Sequence, residues 1–202
     1  MTKQQLDCSA AAANAGLTPL RLEELSQIAR KAADLGGSVL MQHYGRLVSI
    51  QQKARAGDLV TDADLAAEKA VLTALGESTP EISVLAEESG AQGDVSELSW
   101  CVDPLDGTTN FAHGYPFFAT SIGLTLGQQP ILGAIAVPFL KEMYWGAPGV
   151  GAFCNDSRLQ VSSCARLGQQ MGVFTKKFVS CAPCLVTSRC RLGIAARLPC
   201  GV

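Results

Sequence analysis

A chain of 202 residues with 48% hydrophobic and 17% charged residues can bury a substantial core and lacks the composition of a disordered polymer. A net charge of -2 favours neither nucleic acid nor an acidic membrane as main partner, and no apolar run reaches the length of a bilayer crossing. One domain, or one and a fraction, is the expectation.

Residues 1–18 contain a short Ala-rich patch, no secretory h-region and little arginine. They read as a flexible tail of a cytoplasmic protein, with a plastid address as the alternative. Thr18-Pro19 offers a hydroxyl cap with proline at the first helical position. Leu22, Leu25, Ala29, Ala32, Val39 and Leu40 follow at near-helical spacing, so a long amphipathic helix is expected over 19–44, weakened in its middle by Gly36-Gly37. A short strand is expected over 47–52. Thr61 with Asp64 three residues on resembles a capping box, and Leu65, Lys69, Leu72 and Leu75 carry the helix to about residue 76. That local role accounts for Asp64 by itself. The apolar run 82–86 reads as a buried strand delivering Glu87 and Glu88 at its carboxyl end, where alternation lets only one of them face a given site. An exposed turn over 90–96 then leads to a strand over 98–102, so Glu87 and Asp103 leave neighbouring strands and can converge.

The densest chemistry lies in residues 100–118, W-C-V-D-P-L-D-G-T-T-N-F-A-H-G-Y-P-F-F. Pro104 argues against a strand interior, so Asp103 and Asp106 are expected at a strand end where the chain turns. Two carboxylates held close repel unless a cation lies between them, and a hard divalent ion of the magnesium kind is the natural partner. Gly107 and Thr108 open a short helix whose N–H groups suit a phosphate oxygen. Together these point to metal-assisted hydrolysis of a phosphate ester. Two aspartates that only cap a turn are the plain alternative. His113 reads as structural, and Phe111, Phe117 and Phe118 as packing. Beyond residue 120 the pattern is β, with strands over 121–126, 131–137, 143–146, 151–154 and 159–161 in an antiparallel meander. With the two helices upstream the fold class is α+β.

D-P-L-D-G-T-T-N-F resembles the signature of the inositol monophosphatase family of magnesium-dependent phosphomonoesterases. D-L-V-T-D-A-D over 58–64 and G-V-G-A-F-C-N-D-S-R-L-Q-V-S over 149–162 resemble further motifs of that family, in the right order. The resemblance implies a helix pair layered on an antiparallel sheet. It implies that Glu87, Asp103, the Leu105 carbonyl and Asp106 bind Mg2+. Gly107 and Thr108 would hold the phosphate, with Asp106 and Lys53 also on the substrate side; a solvated lysine is the alternative for Lys53. Glu87 would be the base-like partner of the attacking water, the Thr108 hydroxyl would orient it, and Asp64 would help hold a weaker metal or its water. The implied substrate is a small-molecule phosphate monoester, inositol monophosphate first, with histidinol phosphate, sugar phosphates or nucleotide phosphates as alternatives.

The resemblance runs over roughly 22–162 and then stops, dividing the chain into a 1–18 tail, a 19–162 α+β domain and a 163–202 segment. All 18 acidic residues lie at or before Asp156, whereas 163–202 holds Arg166, Lys176, Lys177, Arg189, Arg191 and Arg197 and no carboxylate. The family's later W-D-x-A-A-G motif, whose aspartate completes the metal site, is absent: neither Trp100 nor Trp145 precedes an aspartate. The expectation is a replaced or truncated carboxyl terminus without the family's last α/β layer. A catalytically impaired form that binds metal or a full-length partner is the rival reading, and exposed edge strands invite a homodimer. Cys8, Cys101 and Cys154 read as small buried hydrophobes of a reducing compartment. Cys164, Cys181, Cys184, Cys190 and Cys200 crowd into the tail, where C-A-P-C is a weak zinc candidate and incidental cysteines are the preferred reading.

Overall fold

The computed structural model describes residues 7–47, 49–52 and 59–160. The readings of Lys53 and of 163–202, including its cysteines, lie outside the described residues. In chain order the elements are α1 (Cys8–Asn14), α2 (Pro19–His43), β1 (Ile50–Gln52), β2 (Leu59–Thr61), α3 (Asp62–Ser78), β3 (Ser83–Ala86), β4 (Gly90–Gln92), β5 (Leu98–Asp106), α4 (Thr108–Ala112), β6 (Ala119–Leu126), β7 (Gln129–Val137), a 3-10 turn (Pro138–Leu140), β8 (Glu142–Ala147), β9 (Gly151–Cys154) and β10 (Ser157–Arg158). Strands β1 and β2 pair as a separate antiparallel ribbon; the others form an eight-stranded sheet in the order β10-β9-β8-β7-β6-β5-β3-β4. No helix among the described residues is long and apolar enough to cross a membrane.

Helices α1, α2 and α3 cover one face of this sheet and share a core with it, centred on Leu25, Ala29, Ala33, Val71, Trp100, Ile122 and Leu124. The expected α+β layering is present. The Trp100 ring nitrogen, inside that core, donates to Thr79 Oγ1 at 2.9 Å, which meets the polar demand of an otherwise apolar burial. Residues 8–14, read from the sequence as part of a loose tail, form α1. Asp7 caps it, accepting from the Ser9 and Ala10 backbone N–H groups at 3.0 and 3.1 Å, and Ala11 and Ala12 are buried against the sheet. The expected exposed turn over 90–96 likewise contains the short strand β4. The sheet is mixed: β3 and β5 run parallel and every other pair is antiparallel. At its far flank Arg30 of α2 lies 4.1 Å over the Trp145 ring, Trp145 stacks on Phe153 at 4.4 Å, and Arg158 lies 5.9 Å from Phe153. Each such cation–ring contact contributes about 0.5–1 kcal/mol.

Helix α2 passes unbroken through Gly36-Gly37 because the pair serves packing. A Cβ on Gly36 would stand 2.7 Å from Thr120 Cγ2 and 2.9 Å from Val71 Cγ2, so glycine lets α2 lie close on β6 and α3 at once. In a free helix alanine is favoured over glycine by about 0.5–1 kcal/mol. Here overpacking outweighs that gain: Gly36→Ala is expected to lower stability by about 1–2 kcal/mol, read as a lower urea midpoint. An unchanged or higher midpoint would show that the helix shifts freely.

Candidate active site

Strand β5 does not end before Pro104. It runs nine residues and carries both aspartates. The reason is a register shift: Asp103 pairs with Ser121 and Asp106 with Ala119, so three steps on β5 face two on β6. Pro104 falls inside this irregularity, where no ladder N–H is required, and its carbonyl accepts from Thr120 Oγ1 at 2.9 Å. In a regular strand residues three apart point to opposite faces. The extra residue restores parity, because Ser121 and Ala119 are two apart on β6, and Asp103 and Asp106 emerge on the same face, each only 4% exposed. Leu105 turns the other way, into a cluster with Leu40, Ala63, Ala67, Phe111 and Phe118.

Glu87 reaches the same level from β3. Leu85 is paired with Cys101 and Ala86 with Val102 in parallel register, and the Glu87 N–H donates to the Val102 carbonyl at 3.0 Å. The pairing of Ala86 with Val102 therefore leaves Glu87, the glutamate that the family resemblance implies, as the next residue in line with Asp103. Both glutamates are half-buried.

Asp64 arrives from α3 and is 1% exposed. Its Oδ2 accepts from the Thr61 N–H at 2.9 Å and the Thr61 hydroxyl at 2.6 Å, so the helix-start role is present. Its Oδ1 lies 3.2 Å from Thr108 Oγ1, whose one proton is also within 3.0 Å reach of the Leu105 carbonyl. The capping carboxylate thus also touches the D-G-T loop. Gly107 caps α4 with φ +92°, and a Cβ there would meet the Phe117 carbonyl oxygen at 3.1 Å, so both backbone conformation and space require glycine. Asn110 Nδ2 donates to that same carbonyl at 2.8 Å and closes the loop. Burial raises the Asp64 pKa above its ordinary 3.8, against the lowering effect of the hydrogen bonds from Thr61 and Thr108.

His113, exposed, has Nδ1 2.8 Å from the Thr109 carbonyl, in keeping with a structural histidine. A residue that sequence reasoning passed over is Glu68, 5% exposed on α3, whose Oε2 accepts the Glu88 N–H at 2.9 Å. The available signal was its position one helical turn beyond Asp64.

Among the described residues no three His, Cys, Asp or Glu side chains form a group able to hold a metal ion. The donors nevertheless fit a hard divalent cation in kind. They are carboxylate oxygens, buried at Asp103 and Asp106 and half-buried at Glu87, with a main-chain carbonyl nearby in sequence, and Asp103 Oδ1 and Asp106 Oδ2 are buried oxygens that accept no hydrogen bond, although both residues make other interactions.

The model of the inositol monophosphatase family matches residues 21–192, a range that extends beyond residue 162. The chain is 41% identical over 155 residues to an inositol-1-monophosphatase from Synechocystis sp., covering 76% of this chain and 54% of that protein. It is 39% identical over 142 residues to a fructose-1,6-bisphosphatase/inositol-1-monophosphatase from Aquifex aeolicus, covering 69% and 53%. Among solved structures, the extragenic suppressor protein suhB from Bartonella henselae superposes with a TM-score of 0.66 at 40% identity, covering 71% of this chain and 57% of that one. The chain therefore spans about half the length of the curated relatives it matches.

The raised pKa of Asp64 has a definite sign in stability. Its protonated form is favoured by the fold, so its contribution is full below pH 3.8 and is lost as pH rises through the higher folded value. In metal-free buffer, the unfolding free energy of the wild type relative to Asp64→Asn is expected to fall as pH rises from about 3 to 7. Urea titrations across that range check it; a difference that grows with pH would mean the folded protein prefers the ionised carboxylate.

Proposed function

Because the chain belongs to the inositol monophosphatase family, we propose that it is a metal-dependent phosphatase of phosphate monoesters, with inositol monophosphate the first substrate to test. The observation that carries the reading is the register shift that brings Asp103 and Asp106 to one face, level with Glu87 on the parallel neighbour. In this reading Glu87, Asp103, Asp106 and the Leu105 carbonyl would hold Mg2+. Such an ion, when bound, neutralises phosphoryl oxygens and lowers the pKa of water.

The chain's own groups do the rest. The N–H groups of Gly107 and Thr108 precede the first intrahelical bond of α4, Phe111 N–H to Gly107 carbonyl at 3.0 Å, and bind phosphate oxygens. Glu87 takes the proton of the attacking water. Thr108 orients that water through its hydroxyl, itself held beside Asp64. Asp106 would lie on the substrate side as well, as the family resemblance implies; the same resemblance implies Lys53. The same arrangement admits histidinol phosphate, sugar phosphates and nucleotide phosphates, since none of these groups reads the alcohol.

A second reading has its own support. Residues 163–202 contain no Asp or Glu to supply the later aspartate that the family resemblance implies, so in this reading the chain would bind metal or a full-length partner with impaired turnover. Phosphate release from inositol 1-phosphate and a panel of other esters, with and without Mg2+, decides between them. The wild type is expected to be magnesium-dependent and Asp106→Asn slower by at least about 100-fold. Equal rates in the two proteins would remove Asp106 from the site; calorimetric Mg2+ binding without phosphate release would select the second reading.

A further inference from the structure

We propose that Glu68 is a positioning residue for Glu87; its effect on turnover rests on the phosphatase reading above. A glutamate at 5% exposure is rare unless its carboxylate is employed. The Cα of Glu87 lies between two rigid peptide planes. The first carries the Glu87 N–H, bonded to the Val102 carbonyl of β5 at 3.0 Å. The second carries the Glu88 N–H, bonded to Glu68 Oε2 at 2.9 Å. Holding both planes fixes φ and ψ of Glu87, and with them the direction in which its side chain leaves the backbone. Strand β3 has already ended at Ala86, so the second attachment comes from a helix instead of the sheet.

The same helix holds the other half of the site. Asp64 and Glu68 are four residues apart, on one face of α3. Asp64 reaches Thr108 of the D-G-T loop and Glu68 reaches the turn after β3. Helix α3 therefore spaces two loops that are far apart in the chain, and Glu68 sets the Glu87 end. Only an acceptor oxygen is needed for this, not a charge.

Glu68→Ala and Glu68→Gln separate the cases, in metal-free protein first. Hydrogen exchange at the Glu88 amide is expected to quicken about tenfold or more in Glu68→Ala. Mg2+ affinity by calorimetry should weaken about tenfold, and kcat should fall by more than KM rises. Glu68→Gln, which keeps an acceptor of the same reach, should stay within about twofold of wild type in all three. If the alanine variant does not fold, Glu68→Asp, one methylene short, should show the faster exchange. Unchanged exchange in Glu68→Ala or Glu68→Asp overturns the proposal, as does a glutamine variant as impaired in metal binding as the alanine one, since charge would then be what matters. If the wild type hydrolyses no ester, the phosphatase reading fails while exchange and metal affinity still decide the role of Glu68.

Discussion

The candidate site depends on one extra residue in the pairing of β5 with β6. Asp103 and Asp106 are three positions apart, a spacing that a regular strand would send to opposite faces; the shift between them brings both carboxylates to one side. Proline enforces the arrangement chemically. Having no N–H, Pro104 cannot be drawn into a regular ladder, and the Thr120 hydroxyl holds its carbonyl in place. The parallel pairing of β3 with β5 is the second half of the constraint, because only parallel neighbours present their carboxyl ends at the same edge of a sheet.

Around that edge the scaffold is stiff where the D-G-T loop needs support. Tyr44 at the end of α2 lies 5.5 Å from Phe111 and 5.2 Å from Phe118, and those two rings meet edge-on at 4.7 Å. The loop is thereby clamped from beneath while Asn110 closes it laterally. Helix α2 can supply this clamp because Gly36 and Gly37 let it lie close on the sheet.

Features set by neighbouring residues were legible in the sequence. The Thr61–Asp64 cap and the proline-led start of α2 are local hydrogen-bonding and dihedral matters, and both stand as expected. The D-P-L-D-G-T-T-N-F motif drew attention to this stretch, but the rule that proline ends a strand misplaced its aspartates, since that rule holds for regular ladders and not for bulges. Gly36-Gly37 looked like a weakness because its value lies in contacts with Thr120 and Val71, distant in sequence. Helix α1 was missed because alanines carry little periodic signal until a surface is there to bury them. Glu68 was invisible for a related reason: on an amphipathic helix a buried acid and a solvated one are written with the same letter.

The flank of the sheet and its centre differ in a way that an optical measurement can use. The chain has two tryptophans. Trp100 is enclosed in hydrocarbon with its ring nitrogen on a threonine hydroxyl, whereas Trp145 is sandwiched between a guanidinium and a phenyl ring. Their emission therefore originates in two unlike dielectric surroundings, and a loosening of the outer strands should dim or redden one fluorophore while the other still reports an intact interior.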